Sequence, residues 1–121
     1  MTDKTSTGLQ TNIAGLLCYL LGWITGVIFF ILEKDNRFIR FHAMQSILVF
    51  GSLTVLSIVI SILQGIFLLS GYLAFIAVIL GFISSLIWIA GLILWVVLMA
   101  KAYQNESFKL PYFGELAEKY I

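Results

Sequence analysis

The chain has 121 residues, 61% of them apolar and 11% charged, with a formal net charge of +1, whereas ordinary soluble domains carry about 45–50% apolar and about 25% charged residues. From Phe41 to Ala100 sixty residues pass without one Asp, Glu, Lys or Arg, a run that a water-soluble fold of this length has no means of burying. The composition excludes a soluble domain and gives no ground for a nucleic-acid partner, which would need clustered Lys and Arg; the lipid bilayer is the expected solvent.

Residues 1–12 are polar with Lys4 as their single cation. The uncharged stretch behind them is too long for a signal-peptide core and lacks an Ala-x-Ala site, so this segment is expected to be retained. No Arg- and Ser-rich leader of the organellar kind precedes it, which points to a prokaryotic cytoplasmic membrane. A first span is predicted over 12–32, ended by the cluster Glu33, Lys34, Asp35, Asn36, Arg37. It contains Cys18, the only cysteine, expected as a small packing residue because one thiol makes neither an intrachain disulfide nor a thiolate metal site. Asp35 or Asn36 is placed to cap the next helix by accepting from the free N–H groups of its first turn.

The uncharged run is about 90 Å long as a helix, and a membrane core about 30 Å thick takes roughly 20 residues to cross, so the run must fold back. The best break is Leu69-Ser70-Gly71-Tyr72. Spans two and three then cover 41–69 and 73–100, with a cytoplasmic tail over 101–121, the whole forming one membrane domain. A four-span alternative cuts the run near Gln64-Gly65 and again near Gly81 to Ser85. Charge chooses between them: with three spans Lys34, Arg37, Arg40, Lys101, Lys109 and Lys119 share one side against Lys4 on the other, as the positive-inside rule asks. The expectation is an all-α, three-span bundle with its N-terminus outside and its C-terminus in the cytoplasm.

Helices associate in lipid through close backbone approach at small residues. Gly15, Cys18, Gly22 and Gly26 line one stripe of the first span, Ser57, Ser61 and Gly65 repeat a four-residue spacing in the second, and Ala77, Gly81 and Ser85 do so in the third. These stripes serve packing within the bundle or contact between copies in a homo-oligomer. Trp23, Trp88 and Trp95 read as interface anchors or lipid-facing packing, and Gln64 as a hydrated amide near the outer end of its span.

The segment from Glu33 to Ser46 holds the most chemistry. Arg37, Arg40 and Phe41 fall on one helical face and His42, Gln45 and Ser46 on its neighbour. In one reading the arginines meet anionic headgroups, Glu33 pairs with Arg37 at i,i+4, and His42 and Gln45 hydrogen-bond at the interface. In the other, Arg40, His42 and Gln45 point into the bundle and hold the C-terminal tail or a partner. The run Glu33-Lys34-Asp35 followed by Arg37-Phe38-Ile39-Arg40-Phe41-His42-Ala43-Met44-Gln45-Ser46, together with Phe108-Lys109-Leu110-Pro111-Tyr112-Phe113-Gly114, resembles a family of small prokaryotic membrane proteins grouped with the twenty-kilodalton Tic component of the chloroplast inner-envelope import machinery. That resemblance implies a helical bundle, matched at Arg40, Phe41, His42, Gln45 and Ser46, and a tie to protein translocation or membrane-protein assembly. The plastid proteins are usually drawn with four helices.

After Lys101 the chain leaves the membrane, and Pro111 suits a turn or a first helical position. Two continuations are open beyond it: a short interfacial helix, with Leu116 and Tyr120 on one face and Glu115, Glu118 and Lys119 wetted, or a frayed tail. No paired carboxylates, nucleophile beside a base or phosphate loop is present, and the lone His cannot build a metal site by itself. The expectation is a non-enzymatic subunit or scaffold of a membrane complex, without cofactor or metal. The alternative is a small oligomeric channel or transporter subunit with a pore between protomers lined by Ser57, Ser61, Ser84 and Ser85.

Overall fold

A computed structural model describes residues 5–121. Met1 to Lys4 lie outside the described residues, and with them the single cation set against the other six. Every regular element described is a helix: α1 (Thr11–Leu20), α2 (Trp23–Leu32), α3 (Arg37–Ser70), α4 (Ala74–Tyr103) and α5 (Phe113–Tyr120). Asn36 caps α3, its side chain accepting from the Ile39 N–H at 3.1 Å.

With 34 and 30 residues, α3 and α4 reach about 51 and 45 Å, more than the hydrocarbon thickness. They form an antiparallel pair joined where the spans 41–69 and 73–100 were expected to meet. Gly71, at φ +79, turns the chain there. Both helices run unbroken through Gln64-Gly65 and through 81–85, so the four-span division does not exist. The Gln64 amide, expected to be hydrated, donates instead to the Ala77 carbonyl of α4 at 3.3 Å.

The first apolar stretch departs further from expectation. Residues 12–32 are not one span but two ten-residue helices separated at Gly22, whose φ of 64° and ψ of −133° belong to a region that side chains disfavour. Along α1, Gly15 lies against Phe38, Tyr19 against His42 and Gly22 against Phe50; along α2 the order reverses, with Gly26 against Ala43 and Ser46 and Phe30 against Arg40. The two helices therefore form a hairpin with Gly22 at its tip. Each arm is about 15 Å long, half the depth of a bilayer core.

This fold-back also decides where the ends lie. The Ser6 N–H donates to both Glu33 carboxylate oxygens at 2.8 and 2.9 Å, and the Asn12 side chain donates to the Tyr103 carbonyl at 3.1 Å. The segment before α1, the α2–α3 turn and the exit from α4 thus gather at one end, which carries every Asp, Glu, Lys and Arg among the described residues. The opposite end is the uncharged turn 70–73. Placing the described ends on opposite faces required three crossings, and the hairpin overturns it.

The core sits at the charged end. Ala14, Cys18, Tyr19, Ile39, Ala43, Leu98 and Ala102 are fully buried, whereas distal residues such as Leu69 and Phe82 are 91% and 68% exposed. The small residues divide accordingly. Gly15, Gly26, Ala77 and Gly81 sit at close helix contacts, while Gly22 is the tip and not half of a packing pair. Ser57, Ser61, Gly65 and Ser85 do not pack helix on helix as expected: Ser57 and Ser61 line open cavities, Gly65 faces open space, and Ser85 bonds its own helix at the Gly81 carbonyl.

A methyl group at Gly26 would stand 2.8 Å from the Ala43 carbonyl oxygen and 2.9 Å from Ser46 Oγ. Gly26→Ala is expected to destabilise the protein by about 1–3 kcal/mol through overpacking. Gly65→Ala, which meets nothing, should be neutral or gain up to about 1 kcal/mol of helix propensity. Thermal unfolding in detergent compares them, and equal midpoints would contradict the hairpin packing.

Candidate functional site

Hydrogen-bonding side chains in an apolar environment must find partners, and at the start of α3 they find them in the chain's own tail. His42 and Gln45, three residues apart and therefore on one face of α3, are both fully buried. His42 Nε2 lies 2.9 Å from the Glu106 carbonyl and Nδ1 lies 2.7 Å from the Tyr19 hydroxyl. A carbonyl only accepts, so the partners assign the proton to Nε2 and make Nδ1 the acceptor of the Tyr19 O–H. Tyr19 accepts in turn from Gln45 Nε2 at 3.0 Å.

Gln45 then brackets the tail from both directions. Its Nε2 donates to the Phe108 carbonyl at 3.0 Å and its Oε1 accepts from the Leu110 N–H at 3.1 Å, so a side-chain amide takes the place of a neighbouring strand. Together His42 and Gln45 read backbone groups at 106, 108 and 110, and Leu110 is buried beneath them. The strap turns at both ends through left-handed residues, Asn105 at φ 62 and Tyr112 at φ 69. Ion pairs Lys101–Glu106 at 3.1 Å and Lys109–Glu118 at 2.7 Å flank it. Beyond it α5 lies on α3 with Gly114 and Ala117 buried; Leu116 is half-buried, while Tyr120, expected on its face, is exposed.

The rings of Phe38, Phe41 and Tyr19 meet the His42 imidazole edge to face, with centroids at 4.6, 5.3 and 5.5 Å. Ser46 Oγ donates to the Gly22 carbonyl at 2.7 Å, tying the same helix face to the hairpin tip. Arg40 does not reach the tail. Its Nη1 donates to the Phe30 and Glu33 carbonyls, both at 3.0 Å, and its guanidinium lies 3.9 Å above the Phe30 ring, so it closes the C-terminus of α2, where free carbonyls accumulate. Glu33 is buried and turned toward Ser6, so the expected Glu33–Arg37 pair is absent from the ion pairs of the described residues. Arg37 is exposed beside the network and takes no part in it.

Of the residues singled out in the sequence, the fold brings Phe41, His42, Gln45 and Ser46 into one cluster, with Arg40 beside it and Arg37 outside. Three participants were missed. Tyr19 bridges His42 and Gln45; its signal was a lone phenol in an uncharged stretch, next to Cys18 and three residues before Gly22. Trp95 donates to the Tyr19 carbonyl at 2.7 Å, which pins α4 to the end of α1. Thr25 accepts from the Leu21 N–H at 3.2 Å and donates to the Cys18 carbonyl at 3.1 Å. Chemically, the cluster is a set of mutually satisfied hydrogen bonds closed against the chain's own backbone.

An apolar all-helical bundle with a charged end, two helices long and apolar enough to cross a membrane and a buried polar clasp has the character of a small integral membrane protein. Residues 3–117 match the Magnetosome magnetite crystal formation protein family, and the chain belongs to it. It is 49% identical over 117 residues to a UPF0132 membrane protein of Methanocaldococcus jannaschii, covering 97% of this chain and 94% of that one. A second protein so described from the same organism is 47% identical over 113 residues, 93% of this chain and 71% of its own. One from Archaeoglobus fulgidus is 40% identical over 113 residues, 93% and 97% of the two chains. No solved structure matches.

Gln45→Leu keeps the volume but leaves the Phe108 carbonyl and the Leu110 N–H without partners, and each such loss costs about 1–3 kcal/mol. Tryptic cleavage after Lys109 in the detergent-solubilised protein should therefore rise roughly tenfold or more, since proteolysis follows the open population. An unchanged rate would show that the amide does not hold the strap.

Proposed function

We propose that the protein is a non-enzymatic scaffold subunit of a complex in the prokaryotic cytoplasmic membrane, with its charged end in the cytoplasm. One observation carries this reading: the buried His42–Tyr19–Gln45 cluster is closed against the chain's own tail, so its chemistry fixes the strap and α5 as a shaped surface. Around that surface stand Lys34, Arg37, Lys101, Lys109 and Lys119, with nothing charged at the 70–73 turn, and the positive-inside rule turns such an end inward. Both described ends of the chain then face the cytoplasm.

A role for that surface in protein translocation or membrane-protein assembly is the finer form of the reading, and it rests only on the family resemblance of the Glu33–Ser46 and Phe108–Gly114 segments. Magnetite crystal formation, for which the family is described, is equally compatible with a subunit that organises other membrane components. A second reading has an observation in its favour. A shallow, mostly apolar cavity of about 450 Å³ lined by Thr54, Ser57, Ile58, Ser61, Ile62 and Trp88 opens on the side of the α3–α4 pair, and two of the four serines expected to line a pore between protomers sit in it.

Photo-crosslinking amino acids at Lys34, Tyr112 and Glu115 in native membranes distinguish the two. The scaffold reading expects adducts with a different protein. Self-adducts alone would favour the oligomer, and ion flux through the purified protein in liposomes would sink the scaffold. Sidedness is checked with reporters fused at either end, both of which should report the cytoplasm.

A further inference from the structure

The two halves of the molecule differ in cross-section. At the charged end four helices lie side by side, because α1 packs on α3 and α4 and α2 packs on α3. Beyond the hairpin tip only α3 and α4 continue. The tip reaches mid-membrane and no further: Gly22 lies against Phe50, ten residues past Arg40, or about 15 Å along α3, half of a hydrocarbon core about 30 Å thick. Leu21, Ile24, Ile28 and Ile31 on the outer side of the hairpin are 62%, 48%, 47% and 64% exposed, so that side is built to meet acyl chains and the hairpin rests within one leaflet. Past the tip, a cavity of about 300 Å³ floored by Gly22 and walled by Trp23, Phe50, Leu53 and Trp95 marks where the four-helix section ends.

We propose that this chain is a one-leaflet wedge that generates and senses membrane curvature, with its charged end on the convex face. A helix with its side chains is about 10 Å across, so the hairpin adds roughly 160 Å² of cross-section to one leaflet and nothing to the other. Inserting area into one leaflet expands it relative to its partner, and the bilayer relieves the difference by bending toward the enlarged side. Reciprocally, a membrane already bent that way exposes packing defects that the hairpin fills, as interfacial amphipathic helices do. The partner recognised is thus a lipid surface of defined shape, independent of any protein that the strap and α5 engage.

The direction of the effect supplies its own control. The purified full-length protein, labelled at its C-terminus, is reconstituted into giant vesicles of phosphatidylcholine and phosphatidylglycerol. Vesicles whose label is removed by added protease carry the charged end outward. When a tube of about 25 nm radius is drawn from these, label followed before proteolysis should be enriched in the tube roughly two-fold or more over the flat membrane. Vesicles with the charged end inward should show depletion instead. Equal density in tube and vesicle for both orientations would overturn the wedge, as would enrichment that ignores orientation, which would mean that copies pair to fill the distal leaflet. Neither result bears on the crosslinks from Lys34 or Tyr112, so the scaffold reading stands or falls separately.

Discussion

A backbone interrupted among acyl chains has no water to turn to, so each carbonyl and amide freed by the break must be met from inside the fold. The chain interrupts itself at Leu21-Gly22, and three side chains answer. Thr25 reaches back to the Cys18 carbonyl, Ser46 takes the Gly22 carbonyl, and Trp95 takes that of Tyr19. These bonds come from α2, α3 and α4 respectively, so closing the break also fixes the hairpin against both spanning helices. The burial of Tyr19, the gathering of the charged segments at one end and the thin distal half all depend on it.

The same requirement shapes the clasp on the tail. An extended strap crossing the bundle has no helix to satisfy its backbone, and the side chains of His42 and Gln45 supply what a neighbouring strand would. Polar residues that look like the makings of a reactive site are thereby bound up in recognition of the chain's own backbone. The firmness of the clasp matters because α5 and the strap form much of the surface this protein offers to the aqueous side.

Legibility in the sequence followed the range of the forces involved. Asn36 as a cap, the turn at Gly71 and the length of α3 and α4 are local: a short polar side chain, a positive φ and an uncharged run each act over a few residues. The face shared by His42 and Gln45 was equally legible from spacing. What they touch was not, because Glu106, Phe108 and Leu110 contribute backbone groups, which look alike in any sequence. Arg40 was grouped with them by register, yet it turns to the α2 terminus, because the carbonyls of Phe30 and Glu33 stand within its reach only after the hairpin has formed.

Gly22 shows where the boundary falls. In a string of letters a glycine four residues from another in an apolar stretch looks like a contact face, and the stretch 12–32 has the length of a crossing. By itself the sequence determined the solvent, the helical class and the two long helices, since transfer of sixty uncharged residues into lipid is a sum over residues that needs no geometry. Whether the first stretch crosses or returns was left to the tertiary structure. That choice turns on whether Thr25, Ser46 and Trp95 can together satisfy a broken backbone, and those three groups meet only when α2, α3 and α4 are in place.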